Sequence, residues 1–382
     1  MSITTVFLIA ACNMCSLRAS KVLVTLYALH LGAGEAVVGI LVAAYGISPM
    51  LLALFAGRLT DRIGVRVPML IGSAGCMAGL LVPAIVPSVP ALFVSSLIIG
   101  TSYVFYHVAV QQLIGLLSTA ETRTRNFSHY SLVQAVASLL GPLVAGIGID
   151  LFGHRWMYIG FAVLPLLATA GLLATPGLRG MRAKGAGEGA RRVGDLLRNP
   201  AIRRVLFVSG IALAGNDLFL FYLPVYASKA GLSATQIGLV LAAFAAAAFV
   251  VRTAIPLLAR RLGEGPLLTV CLVIAGFTYL LFPLFVNPWA LGAAAFALGL
   301  AMGVCQPVSI LLAYACAPAG RTGETLGMRL FVMYFTQTSV PLSFGAVGAM
   351  LGAGPVFWAV AALLVGGGWM NRGLMPAKPP AG

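Results

Sequence analysis

Gly57-Arg58-Leu59-Thr60-Asp61-Arg62-Ile63-Gly64-Val65-Arg66 crowds four charged side chains into ten residues, between two stretches, 36–57 and 67–86, that carry none. Each flank is about as long as a helix needs to cross a bilayer, so the decapeptide reads as a charged turn joining two membrane spans. Outward from it the same alternation recurs. Twelve apolar stretches follow one another, at approximately 3–29, 36–57, 67–86, 90–117, 126–149, 155–174, 203–227, 234–258, 266–286, 289–316, 324–350 and 354–370. The runs are continuous and do not alternate, which excludes barrel strands. Composition agrees: 60% of the 382 residues are hydrophobic and 9% are charged, against about a quarter charged in a soluble domain. The mean hydropathy of +1.01 excludes disorder. A net charge of +15 points to sorting by membrane side and not to nucleic acid. The fold class expected is all-α integral membrane.

The first stretch lacks a basic leader and runs into Arg18 and Lys21, which predicts a retained helix and not a cleaved signal peptide. With the chain starting in the cytoplasm, the inner connections carry Arg58, Arg62 and Arg66, then Arg123 and Arg125, a basic run from Arg179 to Arg204, then Arg260, Arg261 and Arg321. The outer side carries only Arg155 and Lys229. This Lys/Arg bias predicts cytoplasmic termini. Ala- and Gly-rich spans without long external loops suit a bacterial inner membrane. One polar connector stands out, from Pro176 to Pro200, basic and Gly-rich. It predicts a six-helix bundle over 1–175, a cytoplasmic linker over 176–201 and a second six-helix bundle over 202–382, with the linker as a tether.

An offset of 199 residues aligns the chain with itself. It pairs Tyr27 with Tyr226, Gly32 with Gly231, Gly39 with Gly238, Arg62 with Arg261 and Gly64 with Gly263. It also pairs Gly100 with Gly299, Pro142 with Pro341, Gly146 with Gly345 and Gly153 with Gly352. Six of these are Gly–Gly pairs, where composition alone gives about two, so the halves read as a duplication. Parallel six-helix halves place a substrate site between them near mid-bilayer, with rocking giving alternating access.

The decapeptide resembles the signature loop of the major facilitator superfamily, G-x-L-x-D-R-x-G-x-R. With the twelve spans and the half-repeat, the resemblance covers essentially the whole chain. It implies a gating role for Gly57, Asp61, Arg62, Gly64 and Arg66, with Asp61 latching the second helix to the positive N-terminal end of the eleventh. The alternative for this loop is topogenic charge alone. The repeat copy has Arg260 in place of Asp61. In the fifth helix, Ala137-x-x-x-Gly141-Pro142-x-x-Ala145-Gly146 is similar to the antiporter motif of proton-driven drug exporters, with Ala in two Gly places. Gly141 and Pro142 would there shape a close, bent helix contact, and generic packing is the alternative. A departure is Ser96, where exporters usually carry Arg four residues before the glycine at Gly100. The family works by alternating access, usually as a monomer, on a small-molecule substrate within membrane lipid.

Eight of the nine acidic residues fall at helix ends or in connections. The ninth, Asp217, sits next to Asn216 deep in the seventh helix, where a carboxylate is costly unless paired, protonated or facing water. Its repeat partner is Arg18, with Lys21 one turn on. The family lines its cavity with helices one, four, seven and ten. On that reading Asp217 exchanges protons as Arg18 or a substrate charge approaches, and a static buried pair is the alternative. Tyr103, His107 and Gln111 share a face of the fourth helix, and Gln306 on the tenth is the repeat copy of His107. These polar positions, with Arg18, Lys21, Asn216 and Asp217, are the expected substrate contacts, and His107 is a further proton relay. Gln134, Gln337 and Tyr334 are weaker candidates, while Arg252 and Arg329 are expected to snorkel or to gate.

Cys12-x-x-Cys15 lies within a helix without a second ligand pair, so no metal site is expected. No cofactor is expected either: no phosphate-binding loop supports ATP drive, and no nucleophile elbow or HExxH marks an enzyme. The functional expectation is a secondary active transporter, a proton-coupled exporter of a small organic compound. The runner-up is a proton-coupled importer of a small organic anion or siderophore-like metabolite.

Overall fold

The structure is a computed structural model that describes residues 3–119, 122–175, 198–316 and 322–372. Those residues form twelve long α-helices, one 3-10 turn (Phe282–Leu284) and no strand. In chain order they are α1 (Ile3–His30), α2 (Glu35–Ile63), α3 (Arg66–Ile85), α4 (Val89–Leu116), α5 (Arg123–Phe152) and α6 (His154–Leu173). Then come α7 (Pro200–Lys229), α8 (Ala234–Leu262), α9 (Glu264–Leu281), α10 (Pro288–Ala315), α11 (Thr322–Leu351) and α12 (Ala353–Asn371). Continuous apolar sequence becomes helix because lipid offers no partner for backbone N–H and C=O groups, which must then bond within the segment. Among the described residues, eleven of the helices are long and apolar enough to span a membrane.

Much apolar side chain faces outward. Leu51, Leu140, Leu167, Phe277 and Met350 are exposed, and so are Trp156, Trp289 and Trp369 near helix ends. A soluble protein could not carry such a surface, and Trp near helix termini suits the membrane interface. This is a multi-pass membrane protein.

The charged decapeptide is not a connection. α2 continues through Asp61 and Arg62 to Ile63, and only Gly64 and Val65 separate it from α3. Nothing after Gly57 breaks a helix until Gly64, whose φ of 84° and ψ of 173° lie in a region essentially reserved for glycine. α8 likewise runs past the expected end at 258 to Leu262 and stops at Gly263, φ 80°.

The duplication is written in the backbone. Among the described residues six glycines have positive φ: Gly32, Gly64, Gly153, Gly231, Gly263 and Gly352. They form three pairs at the 199-residue offset. Packing repeats too: a methyl on Gly100 would lie 2.8 Å from the Tyr45 carbonyl oxygen, and one on Gly299 would strike that of Phe244, again 199 residues on.

Two compact units result, Met1–Glu188 with Ala227–Ala242, and Gly189–Tyr226 with Ala243–Gly382. In the first, α1 packs on α5 and α6, and α4 on α2 and α3. Val6, Met14, Met69, Tyr106, Leu113 and Leu172 lie in its core. In the second, α9 packs on α10 and α12. An aromatic chain there links Phe219, Phe282 and Phe357, with centroids 5.5 Å apart at each step.

Candidate functional site

In the first unit, α1 and α4 bring four of the expected residues together. The four-residue spacing on α4 puts Tyr103, His107 and Gln111 on one stripe. The imidazole of His107 stacks on Tyr103, centroids 4.9 Å apart and planes 28° apart. Gln111 Nε2–H donates to His107 Nε2 at 2.9 Å. His107 is 9% exposed. That bond fits a neutral ring, protonated on Nδ1. The Arg18 guanidinium, on α1, acts electrostatically on both Tyr103 and His107. Its Nε is buried and makes no hydrogen bond. A cation thus lies within electrostatic range of a neutral base that is stacked on a phenol and bonded to an amide, which suits binding an anionic or polar group or passing a proton.

Gly141 of α5 lets that helix lie close against α1 behind Arg18. A methyl there would lie 2.9 Å from Arg18 Cβ, 3.0 Å from the Cys15 carbonyl oxygen and 3.1 Å from Ala19 N. Pro142 follows it inside the helix. Lys21 stays within the unit, with Nζ 5.9 Å from the centroid of the Tyr45 ring. The cavity bordered by Asn13, Leu17, Gly72, Cys76, Tyr103 and Tyr106 measures about 10 Å³, far too small for an organic substrate.

In the second unit, Asp217 and Asn216 lie on α7, and Asn216 Nδ2 donates to Asp217 Oδ1 at 3.3 Å. The carboxylate acts electrostatically on Tyr279, whose hydroxyl donates to the Gly215 carbonyl oxygen. On α10, the Gln306 side chain is exposed. Arg329 corrects an expectation: it is 4% exposed and does not snorkel. Its Nη2 donates to Ser309 Oγ at 3.0 Å and to the Gln306 carbonyl oxygen at 3.4 Å, so α10 supplies the acceptors that headgroups would otherwise offer. Arg252, Gln134 and Gln337 are half-buried, and Tyr334 is buried.

At the charged signature, the side chain of Asp61 lies outside the described residues, as do the residues of the expected linker from 176 to 197. Arg62 is exposed, and a methyl on Gly57 would meet nothing within 4 Å. Arg66 Nη2 donates to the Leu173 carbonyl oxygen at 3.1 Å, a cation at the negative end of α6. Among the described residues no group of three His, Cys, Asp or Glu is placed to hold a metal.

Three residues make contacts that the sequence reading did not assign. Asp150 Oδ1 accepts from Ala234 N at 3.1 Å and Oδ2 from Thr235 N at 2.7 Å. Lys229 donates to Glu35. The scarcity of outer charges was the available signal, since Glu35 and Asp150 share that side with only two basic residues.

A model described as Major Facilitator Superfamily matches residues 6–341. The chain belongs to that superfamily. It is 28% identical over 149 residues to the inner membrane transport protein YajR of Escherichia coli, covering 38% of this chain and 31% of YajR. It is 28% identical over 142 residues to the quinolone resistance protein NorA of Staphylococcus aureus, covering 37% of this chain and 36% of NorA. The matched segments therefore span about a third of these relatives' length. The nucleoside transporter NupG superposes with a TM-score of 0.83 at 12% identity, over 97% of this chain and 98% of that one. That likeness is one of fold. The protein is a membrane transporter of the major facilitator type.

Proposed function

We propose that this transporter is a proton-coupled exporter of a small amphipathic or anionic organic compound, working as a monomer in the inner membrane with both termini in the cytoplasm. The observation that carries the reading is the meeting of Arg18, Tyr103, His107 and Gln111 on α1 and α4, with the antiporter-like Gly141 of α5 pressed directly under Arg18. Similarity to a quinolone resistance protein supports the same direction of transport. The moving halves are 1–175 and 202–382, tethered by 176–201.

Asp217 is the proton site. A carboxylate within a membrane helix is stabilised either by a proton or by a nearby cation, so Arg18 and the proton compete for it. Substrate held by Arg18, Lys21, Tyr103, His107, Gln111, Asn216 and Gln306 shifts that competition, and His107 relays the proton. Gly57, Asp61, Arg62, Gly64 and Arg66 gate the inner face.

A second reading is proton-coupled import of a small organic anion, favoured by the inward position of Lys21 beside Tyr45. Proteoliposomes holding a pH-sensitive dye decide the matter, challenged with organic anions, zwitterions and lipophilic cations. Protons moving against the compound establish export, and protons moving with an anion establish import. Substrate flux with no proton movement overturns both.

A further inference from the structure

On the face of the membrane opposite the charged signature, the first unit contains an assembly that no part of the proposed function uses. Asp150 stands in the last turn of α5 and bonds two successive backbone N–H groups, Ala234 and Thr235, with its two carboxylate oxygens. These are the first residues of α8, whose leading N–H groups have no acceptor inside the helix and form its positive end. A turn earlier the two backbones touch. A methyl on Gly146 would strike the Ala234 carbonyl oxygen and approach Gly238 Cα to 3.0 Å, and one on Gly238 would lie 2.9 Å from the Pro142 carbonyl oxygen. Just before α8, exposed Lys229 ends α7 and pairs with Glu35, the first residue of α2, which is 3% exposed.

All of this lies within one unit only because Ala227–Ala242 packs with the first six helices. By the 199-residue repeat those sixteen residues belong to the second half. The repeat also equates α2 with α8 and α5 with α11. A carboxylate at the end of α5 capping α8 is therefore the arrangement implied for Asp61 and α11 with the two helix pairs exchanged, and it falls on the other face. The repeat copies of the two acids are Arg260 and Ala349. Both carboxylates thus come from the first half, and both helix ends from the second.

We infer that Asp150, helped by the Glu35–Lys229 pair, is the carboxylate of a second latch that holds the outer face of this transporter closed and must release α8 for that face to open. The device does not depend on which compound is carried or on proton coupling. An aspartate cap on a helix terminus typically contributes about 1 kcal/mol, so its loss moves the equilibrium between access states about fivefold.

Hydrogen–deuterium exchange on the full chain in lipid nanodiscs tests this, with wild type beside Asp150→Ala, Asp150→Glu and Lys229→Gln. Asp150→Ala and Lys229→Gln should speed exchange about fivefold at the start of α8 and at the α1–α2 turn. They should also slow it at the inner ends of α4 and α10, because the faces close in alternation. Asp150→Glu keeps the carboxylate and should stay near wild type. Faster exchange confined to the first turn of α8, with the inner ends unchanged, means a local cap and overturns the inference. So does unchanged exchange throughout. Lys229→Gln, at an exposed position, keeps the test decisive if Asp150→Ala fails to fold.

Discussion

Adding one methyl at Gly141 should damage this transporter more than its size suggests. The new Cβ of Gly141→Ala would stand 2.9, 3.0 and 3.1 Å from Arg18 Cβ, the Cys15 carbonyl oxygen and Ala19 N. Two of those atoms are backbone and the third is the root of a side chain, so no rotamer change relieves the clash. α1 and α5 must separate by about 0.4 Å to reach ordinary contact, and overpacking of this kind costs about 1–3 kcal/mol. Replacing helical glycine by alanine returns about 1 kcal/mol, which leaves a net loss of up to about 2 kcal/mol, at the upper end here because the clash is with backbone. Gly160→Ala in α6 is the control, since a methyl there meets nothing within 4 Å and should be neutral or stabilising. The assay is the unfolding midpoint of purified protein in detergent, with proteoliposome flux on the same preparations. Gly141→Ala should unfold a few degrees earlier and lose transport, because Arg18 moves with α1. A Gly141→Ala protein as stable and as active as Gly160→Ala refutes the argument.

Asp217→Asn should abolish proton-coupled flux while leaving substrate binding measurable by titration; retained coupling in the dye assay removes Asp217 as the proton site. Gly64→Ala and Gly263→Ala should each lower stability by about 1–3 kcal/mol, the strain of alanine in glycine-only backbone. A thermal scan in which only one copy suffers would break their equivalence. Arg329→Met should unfold no earlier than wild type, since it removes a buried charge that no carboxylate pairs among the described residues. A midpoint several degrees lower would show that the guanidinium is structural.

The helices were legible in the sequence because a span in lipid must be both apolar and continuous, and the duplication because glycine at a strained turn has no substitute. Gly32, Gly64 and Gly153 and their copies were found by alignment, and they proved to be the six positive-φ positions among the described residues. The stripe of Tyr103, His107 and Gln111 was readable from spacing alone. The end of α2 was not, because a charged stretch at a membrane boundary looks alike whether it is loop or helix extending into water. Depth along a helix likewise placed Arg329 near the interface without showing that it turns toward Ser309. Asp150 and Ala234 are 84 residues apart, and Glu35 and Lys229 are 194 apart. Such pairings have no local signature, since they depend on how distant helix ends meet.

The positive-φ glycines bear on how the two halves drifted apart after duplication. Each of the six sits in a connection of one to four residues between consecutive helices. Every missense change at a glycine codon adds a side chain, and the backbone at these turns does not accept one without strain. Along the spans one apolar residue replaces another of similar volume at little cost, so sequence identity there decays freely. The turns between helices therefore preserve the ancestry that the helices themselves have lost.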